Sequence, residues 1–341
     1  MSLKVGIVGA AGYAGAELIR LVLGHPEFEL VAITSNADAG QPLSAVYPSF
    51  AGVSDLKFTT HDAPELKTCD AVFLAVPHTA AMAQVPTLLA TGVSCFDLSA
   101  DYRLSDPAVF ETWYAAEHTS PELLKTRAFG LPELFCRDLE TAASDYAGGK
   151  SVLVACAGCY PTATSLAAAP AVRAGWVAQS GPVIVDAISG VTGAGKSCNA
   201  RTHFCSADEN LEAYGVGKHR HTPEIEQILG LTDRIVFTPH LAPLKRGLLS
   251  TVTLPLAPQA LDTLTLEDVV DHYKQFYTGR TFVRVLDAGQ QPKTTSVVGT
   301  NAAQIGLALN KRAGVLVATG AIDNLCKGAA GQAVQCANIV F

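Results

Sequence analysis

The chain has 341 residues, of which 49% are hydrophobic and only 16% are charged, which excludes a disordered chain and fits about two domains. A net charge of −7 with no dense Lys/Arg block leaves no expectation of nucleic acid or anionic membrane as a partner. Nine cysteines, an odd number, follow a start that runs straight into a strand pattern with no secretory leader, which argues against a disulfide scaffold and for a reducing cytoplasm.

In chain order, Lys4–Val8 predicts a strand, Gly9-Ala-Ala-Gly12-Tyr-Ala-Gly15 a turn, and Ala16–Leu23 a helix. Strands are expected at Phe28–Thr34, Ala71–Val76 and Val93–Leu98, with a helix across Thr79–Ala90. Residues 71–96 and 151–172 contain no Asp, Glu, Lys or Arg. Pro77, His78, Gln84, Pro86 and Gly92 interrupt the first and Gly158 and Pro161 the second, so each reads as a buried strand, turn and helix and not as a membrane span. Residues 100–150 predict loops and short helices, then a boundary near Gly148–Ala157. Further strands are expected at Val183–Ser189, Arg234–Pro239, Leu248–Leu254 and Val315–Ala321. Helices are expected at Leu266–Phe276, capped by Thr265, and at Gly328–Ala337. Strands alternating with helices predict an α/β protein with a Rossmann-type doubly wound parallel sheet, followed by an α+β unit with a mixed sheet.

Glycines at 9, 12 and 15 between a first strand and a helix are a dinucleotide-binding signal, because the turn lets a pyrophosphate approach free amides at a helix start. An Asp or Glu at the end of the second strand would favour NAD; here Thr34, Ser35 and Asn36 stand in that place, which favours the 2′-phosphate of NADP. Ala157-Gly158-Cys159 lies between the strand Val152–Ala155 and a helix expected at Thr162–Ala169, where a helix dipole favours a thiolate nucleophile. Cys156 and Cys159 form a C-x-x-C, but no second pair accompanies it, so no metal is expected. In His219-Arg220-His221-Thr222-Pro223-Glu224, Thr222 and Pro223 read as N-cap and first residue of a helix starting near Ile225. A neutral His221 beside that helix start can act as a base near pH 7, and His219 is the competing choice. Arg103 follows a parallel strand and has the geometry to fork onto an anionic substrate group. Gly190 to Ser197 formally matches a phosphate-binding G-x-x-x-x-G-K-S frame, a reading weighed down by the dinucleotide start already present at the N-terminus.

Taken together, residues 8–18, 97–104, 157–164, 189–195, 219–225, 237–247 and 323–333 (VGAAGYAGAEL, DLSADYRL, AGCYPTAT, SGVTGAG, HRHTPEI, FTPHLAPLKRG and DNLCKGAAGQA) resemble the N-acetyl-gamma-glutamyl-phosphate reductase family, in its order and over nearly the whole chain. One departure is visible: Ala157 stands where the family has proline before Gly-Cys. The resemblance implies NADPH-dependent reduction of N-acetyl-glutamyl phosphate to the semialdehyde and phosphate, through a thioester on Cys159 with His221 handling the proton. It implies an NADP-binding domain at 1–156, a catalytic and oligomerisation domain at 157–314, a segment 315–341 returning to the first domain, and a homo-oligomer, dimer or tetramer. Arg103, Ser189, Gly190 and His219 are expected to meet the small-molecule substrate. Gly9, Gly12, Tyr13, Gly15, Thr34, Ser35, Pro77, His78, Ser99 and Gly193 are expected to meet NADP, and by the resemblance Asn324 reaches its nicotinamide. Two rivals remain open: a reductase of aspartyl or carrier-linked aminoadipyl phosphate, and a non-catalytic NADP-binding sensor.

Overall fold

The computed structural model describes residues 2–341, which divide into two units, residues 2–157 with 329–341 and residues 158–328. In the first unit the elements run β1 (Leu3–Val8), α1 (Tyr13–Leu23), β2 (Phe28–Thr34), α2 (Leu43–Val46), β3 (Phe58–Thr59), β4 (Ala71–Leu74), α3 (Val85–Ala90), β5 (Ser94–Asp97), α4 (Pro107–Tyr114), β6 (Ala128–Gly130), α5 (Cys136–Ala147) and β7 (Leu153–Cys156). Their sheet is ordered β3-β2-β1-β4-β5-β7-β6 and is parallel throughout. One face buries Val5, Ile7 and Phe73 with Leu18 and Ile19 of α1 and with Cys336 and Ala337 of the C-terminal helix. The other buries Val8, Val72 and Leu74 with Val85 and Leu88 of α3. Burial on both faces explains the uninterrupted apolar run of β4. Because Val8 pairs with both Thr34 and Leu74, the ends of β1, β2 and β4 lie side by side, at the point where the strand order reverses.

The second unit comprises α6 (Cys159–Arg173), β8 (Val183–Gly190), α7 (Phe204–Ala207), β9 (Glu212–Ala213), α8 (Thr222–Leu229), β10 (Ile235–Ala242), β11 (Leu248–Pro255), α9 (Pro258–Thr263), α10 (Leu266–Phe276), β12 (Val283–Val285), β13 (Ala303–Asn310) and β14 (Val315–Ile322). Its sheet, ordered β12-β13-β14-β11-β8-β10-β9, mixes parallel and antiparallel pairs. Helix α6 is buried all round from Tyr160 to Ala171, which accounts for its lack of charge. No helix of the described residues is long and apolar enough to cross a membrane.

Several expectations are corrected. Residues 315–328 belong to the second unit: β14 pairs along its whole length with β11 and β13, and the chain returns to the first unit only from Ala329. The helix expected across Thr79–Ala90 is broken, with Thr79 at φ +74, a 3-10 turn at Ala81–Ala83 and α3 proper from Val85. Helix α6 begins at Cys159 itself, three residues before the expected start, and runs through Pro170 to Arg173. Thr222 is the first residue of α8 and His221 its N-cap. A π turn at Cys326–Ala330 precedes the C-terminal helix Gly331–Val340. Residues 100–150 contain the twelve-residue α5 and strand β6 besides their loops.

Candidate active site

The thiol site is built on two helix starts. Cys159 is the first residue of α6 and is half-buried, whereas Cys69, Cys95, Cys156, Cys326 and Cys336 are buried. Burial pushes the Cys69 thiol up to about 12, and burial, with the Asp97 charge, pushes the Cys95 thiol up further, so neither offers a thiolate at neutral pH. The N-cap of α6, Gly158, brings no side chain to the helix's first turn. Glu224, buried in the first turn of α8, accepts the Gly158 N–H at 2.8 Å and ties the two starts together.

Tyr160, next to Cys159, is the hub of an aromatic cluster. Its ring lies 5.7 Å from His219, 6.0 Å from His221 and 5.2 Å from Phe237. Tyr214 donates to Tyr160 Oη at 3.2 Å, and Tyr160 donates to the His240 carbonyl at 3.1 Å. Burial holds the Tyr214 hydroxyl up at about 12, so it remains a donor. The two histidines are differentiated. His219 Nδ1 accepts the His221 N–H at 3.1 Å, and burial, with the Arg220 charge, lowers its pKa to about 4. A neutral His219 with Nδ1 used as an acceptor carries its proton on Nε2 and serves as a donor.

Around this cluster, Ser189 is buried and Gly193 lies so close that a Cβ there would sit 2.9 Å from Ser189 Oγ. Asn324 is buried with both ends of its amide engaged: Oδ1 accepts the Gly247 N–H at 2.8 Å and Nδ2 donates to Thr192 Oγ1 at 3.0 Å. It thus clamps two loops, a task the expected contact with a nicotinamide does not describe. The frame from Gly190 to Ser197 is no phosphate cradle. The amides of Gly190, Val191 and Thr192 donate to the carbonyls of Gly247, Leu244 and Lys245, and only a 3-10 turn follows.

In the first unit the glycine turn fits a dinucleotide. Gly9 has φ +77, and a Cβ there would meet Ala75 O at 2.3 Å; a Cβ on Gly15 would meet Gly9 O at 2.5 Å. Gly12, the N-cap of α1, brings no side chain to the helix's first amides, and Tyr13 beside it is 36% exposed. Tyr47 donates to the carbonyl of Ala11 at 2.7 Å and so satisfies that oxygen. Pro77 is exposed, and His78 Nδ1 accepts the Ala100 N–H at 3.1 Å. A 580 Å³ cavity opens beyond Asn36, lined among others by His61, Leu66, Lys67, Gln84 and Leu88, and has the volume for the adenosine end of such a ligand.

Four expected contacts in this unit are revised. Arg103 is buried and donates from Nε to Cys156 O at 2.8 Å and from Nη2 to Leu98 O at 2.6 Å, so it ties down the end of β7 and is not poised to fork onto an anion. Ser99 is buried and donates to Asp97 from its hydroxyl and its amide, both at 2.8 Å. Thr34 Oγ1 is bonded to His61 Nδ1 at 2.7 Å and Ser35 donates to Asp38 at 2.6 Å; both hydroxyls are buried. His61, kept neutral by burial, and Lys67 are cationic or donor groups that sequence reading missed. Nothing in sequence links them to the end of β2; only the pairing of β2 with β3 does. Glu224, Tyr160 and Tyr214 were also missed, although Glu224 stood in the quoted histidine motif.

Residues 4–142 match the family model of the semialdehyde dehydrogenase NAD binding domain, and residues 159–324 match that of the semialdehyde dehydrogenase dimerisation domain. The N-acetyl-gamma-glutamyl-phosphate reductase of Symbiobacterium thermophilum is 44% identical over 100% of this chain and 95% of its own length. The chain belongs to the N-acetyl-gamma-glutamyl-phosphate reductase family. The reductase of Neisseria meningitidis serogroup C is 43% identical over 99% of this chain and 94% of its own. Among solved structures, aspartate semialdehyde dehydrogenase with NADP from Candida albicans superposes with a TM-score of 0.75 at 16% identity, covering 100% of this chain and 98% of that one. Aspartate semialdehyde dehydrogenase II complexed with ASA from Vibrio cholerae gives 0.74 at 15%, with the same coverage. At that identity the likeness is one of fold. The parallel sheet, the mixed sheet and the reductase family thus agree with the expectation from the seven motifs.

Proposed function

We propose that the chain is an NADPH-dependent reductase of N-acetyl-glutamyl 5-phosphate, yielding N-acetyl-glutamate 5-semialdehyde and phosphate as a step towards arginine. The observation that carries the reading is Cys159 as first residue of α6, tied to the start of α8 through Glu224, in a chain 44% identical over its full length to such a reductase.

Cys159 Sγ attacks the acyl carbon, the carbon–oxygen bond to phosphate breaks, and a thioester remains. The nicotinamide, when bound, supplies a hydride to that thioester carbon. His221, having taken the Cys159 thiol proton, gives it to the alkoxide so formed; it takes that hydroxyl proton back as the carbon–sulfur bond breaks, Cys159 leaves as thiolate and the aldehyde departs. His219, with its proton on Nε2, donates to the substrate oxygen and keeps it oriented. Gly9, Gly12, Tyr13 and Gly15 hold the pyrophosphate, and Asn36, His61 and Lys67 receive the phosphorylated ribose. Ser189, Gly190 and Gly193 shape the wall beside the thiol. The free thiol this chemistry needs is consistent with a reducing cytoplasm.

A homodimer is part of the reading. Helices α6, α8 and α10 take one face of the mixed sheet, and Ile184, Ile188, Leu249 and Val317 on the other remain only half-buried, with Val236 48% exposed. In sedimentation, Val236→Lys should shift the assembly towards monomer.

The deciding assay supplies NADP+, phosphate and a panel of semialdehydes. The N-acetyl-glutamate compound should give the highest kcat/KM, and preference for aspartate semialdehyde would overturn the assignment. Cys159→Ala should abolish phosphate-dependent turnover, by about 10⁴-fold or more, with NADPH affinity kept.

A further inference from the structure

Helix α6 is held as a rigid piece. Tyr273 and Tyr277 donate to its carbonyls at Ala167 and Leu166, at 3.0 and 2.6 Å, and Thr164 Oγ1 bonds Ser250 Oγ at 2.8 Å. With the backbone of Cys159 fixed, the freedom left to the thiol is rotation about its Cα–Cβ bond.

A second segment closes on that bond. After β14 the buried carboxylate of Asp323 accepts the amides of Leu325 and Cys326 at 2.8 and 2.9 Å and that of Gly299 at 2.6 Å, and it pairs with Arg246 at 2.9 Å. Its carbonyl accepts the Gly328 N–H at 2.9 Å. Thus anchored, the chain makes the π turn Cys326–Ala330, a wide turn that brings main chain where a regular helix would not. A Cβ on Gly328 would lie 2.7 Å from Cys159 Cβ and 3.2 Å from Cys159 Cα. Gly328 therefore packs so closely on the Cα and Cβ of Cys159 that no side chain fits between them.

We propose that Gly328 is a positioning residue: the π turn presses bare backbone against Cys159 so that the thiol keeps one rotamer, aimed at the acyl carbon. The proposal rests on the reading of Cys159 as nucleophile. Gly320 supplies a control on the same helix, because a Cβ there would lie 2.6 Å from Ala163 O and 3.3 Å from Ala167 Cβ, one to two turns from the thiol.

The test compares Gly328→Ala with Gly320→Ala in the full-length protein. Gly328→Ala should lower kcat about 10²-fold, the scale of a 1 Å misplacement. It should also move the pH profile of iodoacetamide alkylation at Cys159, with the Kd for NADPH unchanged. Gly320→Ala should lower Tm yet leave that alkylation profile as in wild type. The double variant Cys159→Gly/Gly328→Ala should recover Tm lost by Gly328→Ala, because the crowded atom is gone; it also decides the matter if the single variant fails to accumulate. A wild-type alkylation profile in Gly328→Ala, the same shift in Gly320→Ala, or no recovery in the double variant overturns the proposal. Turnover surviving in Cys159→Ala would instead overturn the nucleophile reading beneath it.

Discussion

Two glycine-rich loops, residues 9–15 and 190–195, look alike in sequence and are built for opposite ends. The first precedes the eleven-residue helix α1, whose N-cap brings no side chain, and a hydroxyl from Tyr47 takes up one of its carbonyls. In the second, three successive amides are spent on the carbonyls of residues 244–247, and the hydroxyl of Thr192 adds a further bond to Lys245 O at 2.6 Å. The fate of the N–H groups decides whether such a loop binds a phosphate. The first loop ends in a helix start of the kind that receives a phosphate, and the second is stitched to residues 244–247. This division extends to the units that carry them, and it breaks if a change in one unit moves the other's readout.

The largest expected effect is in the second unit. His221→Asn should lower kcat by about 10²–10⁴-fold in steady-state assays while NADPH affinity stays as in wild type. A larger loss from His219→Asn would reverse the assignment of donor and base. Next comes the first unit. Gly12 has φ −76 and ψ 169, open to any residue, and its nearest neighbour to an added Cβ is 3.5 Å away. Gly12→Asp should cap α1 and hold or raise Tm, yet its charge at the pyrophosphate site should weaken NADPH at least about 10-fold in a fluorescence titration. Alkylation of Cys159 should be untouched. A Tm that fell together with affinity would mean that the turn is structural only.

How much of this was legible beforehand differs between backbone and side chains. Strand β2 and helix α10 are found at the residues expected, because apolar patterning and the Thr265 cap are local signals. That helices start beside Cys159 and beside the histidine motif was legible to within a few residues, since helix starts have their own residue preferences. The return of the chain was misplaced because β14 is apolar enough for either sheet, and only its two long-range partners settle which it joins. Side-chain roles failed where a donor had a nearer acceptor. Arg103 reads as an anion fork until Leu98 and Cys156 present carbonyls to it, and Thr34 reads as a phosphate donor until His61 arrives from β3. The approach of Gly328 to Cys159, residues 169 positions apart, has no sequence signal beyond the glycine itself.

The smallest effect sharpens the comparison through pH. In the second unit His219 is held near 4 by burial and the Arg220 charge, against 6.5 ordinarily, so between those values the unfolded chain binds more protons than the folded one. Its contribution is present above pH 6.5 and is lost as pH falls to about 4. In the first unit Asp97 is raised to about 7 by burial and by the charge of Asp101, against the lowering bonds from Ser99. Its contribution is complete below its ordinary value of 3.8 and is lost as pH rises through about 7. Each unit carries one tryptophan, Trp113 in the first and Trp176 in the second, so Trp176→Phe and Trp113→Phe leave a reporter in one unit at a time. In urea titrations between pH 4 and 6.5, Asp97→Asn should flatten a decline seen by Trp113, and His219→Asn should flatten a rise seen by Trp176. If both reporters follow one transition, the opposed slopes partly cancel in it. Each substitution must then tilt the common curve in its own direction, upward with pH for Asp97→Asn and downward for His219→Asn; tilts of the same sign would show that burial does not act on the two groups as opposite charges require.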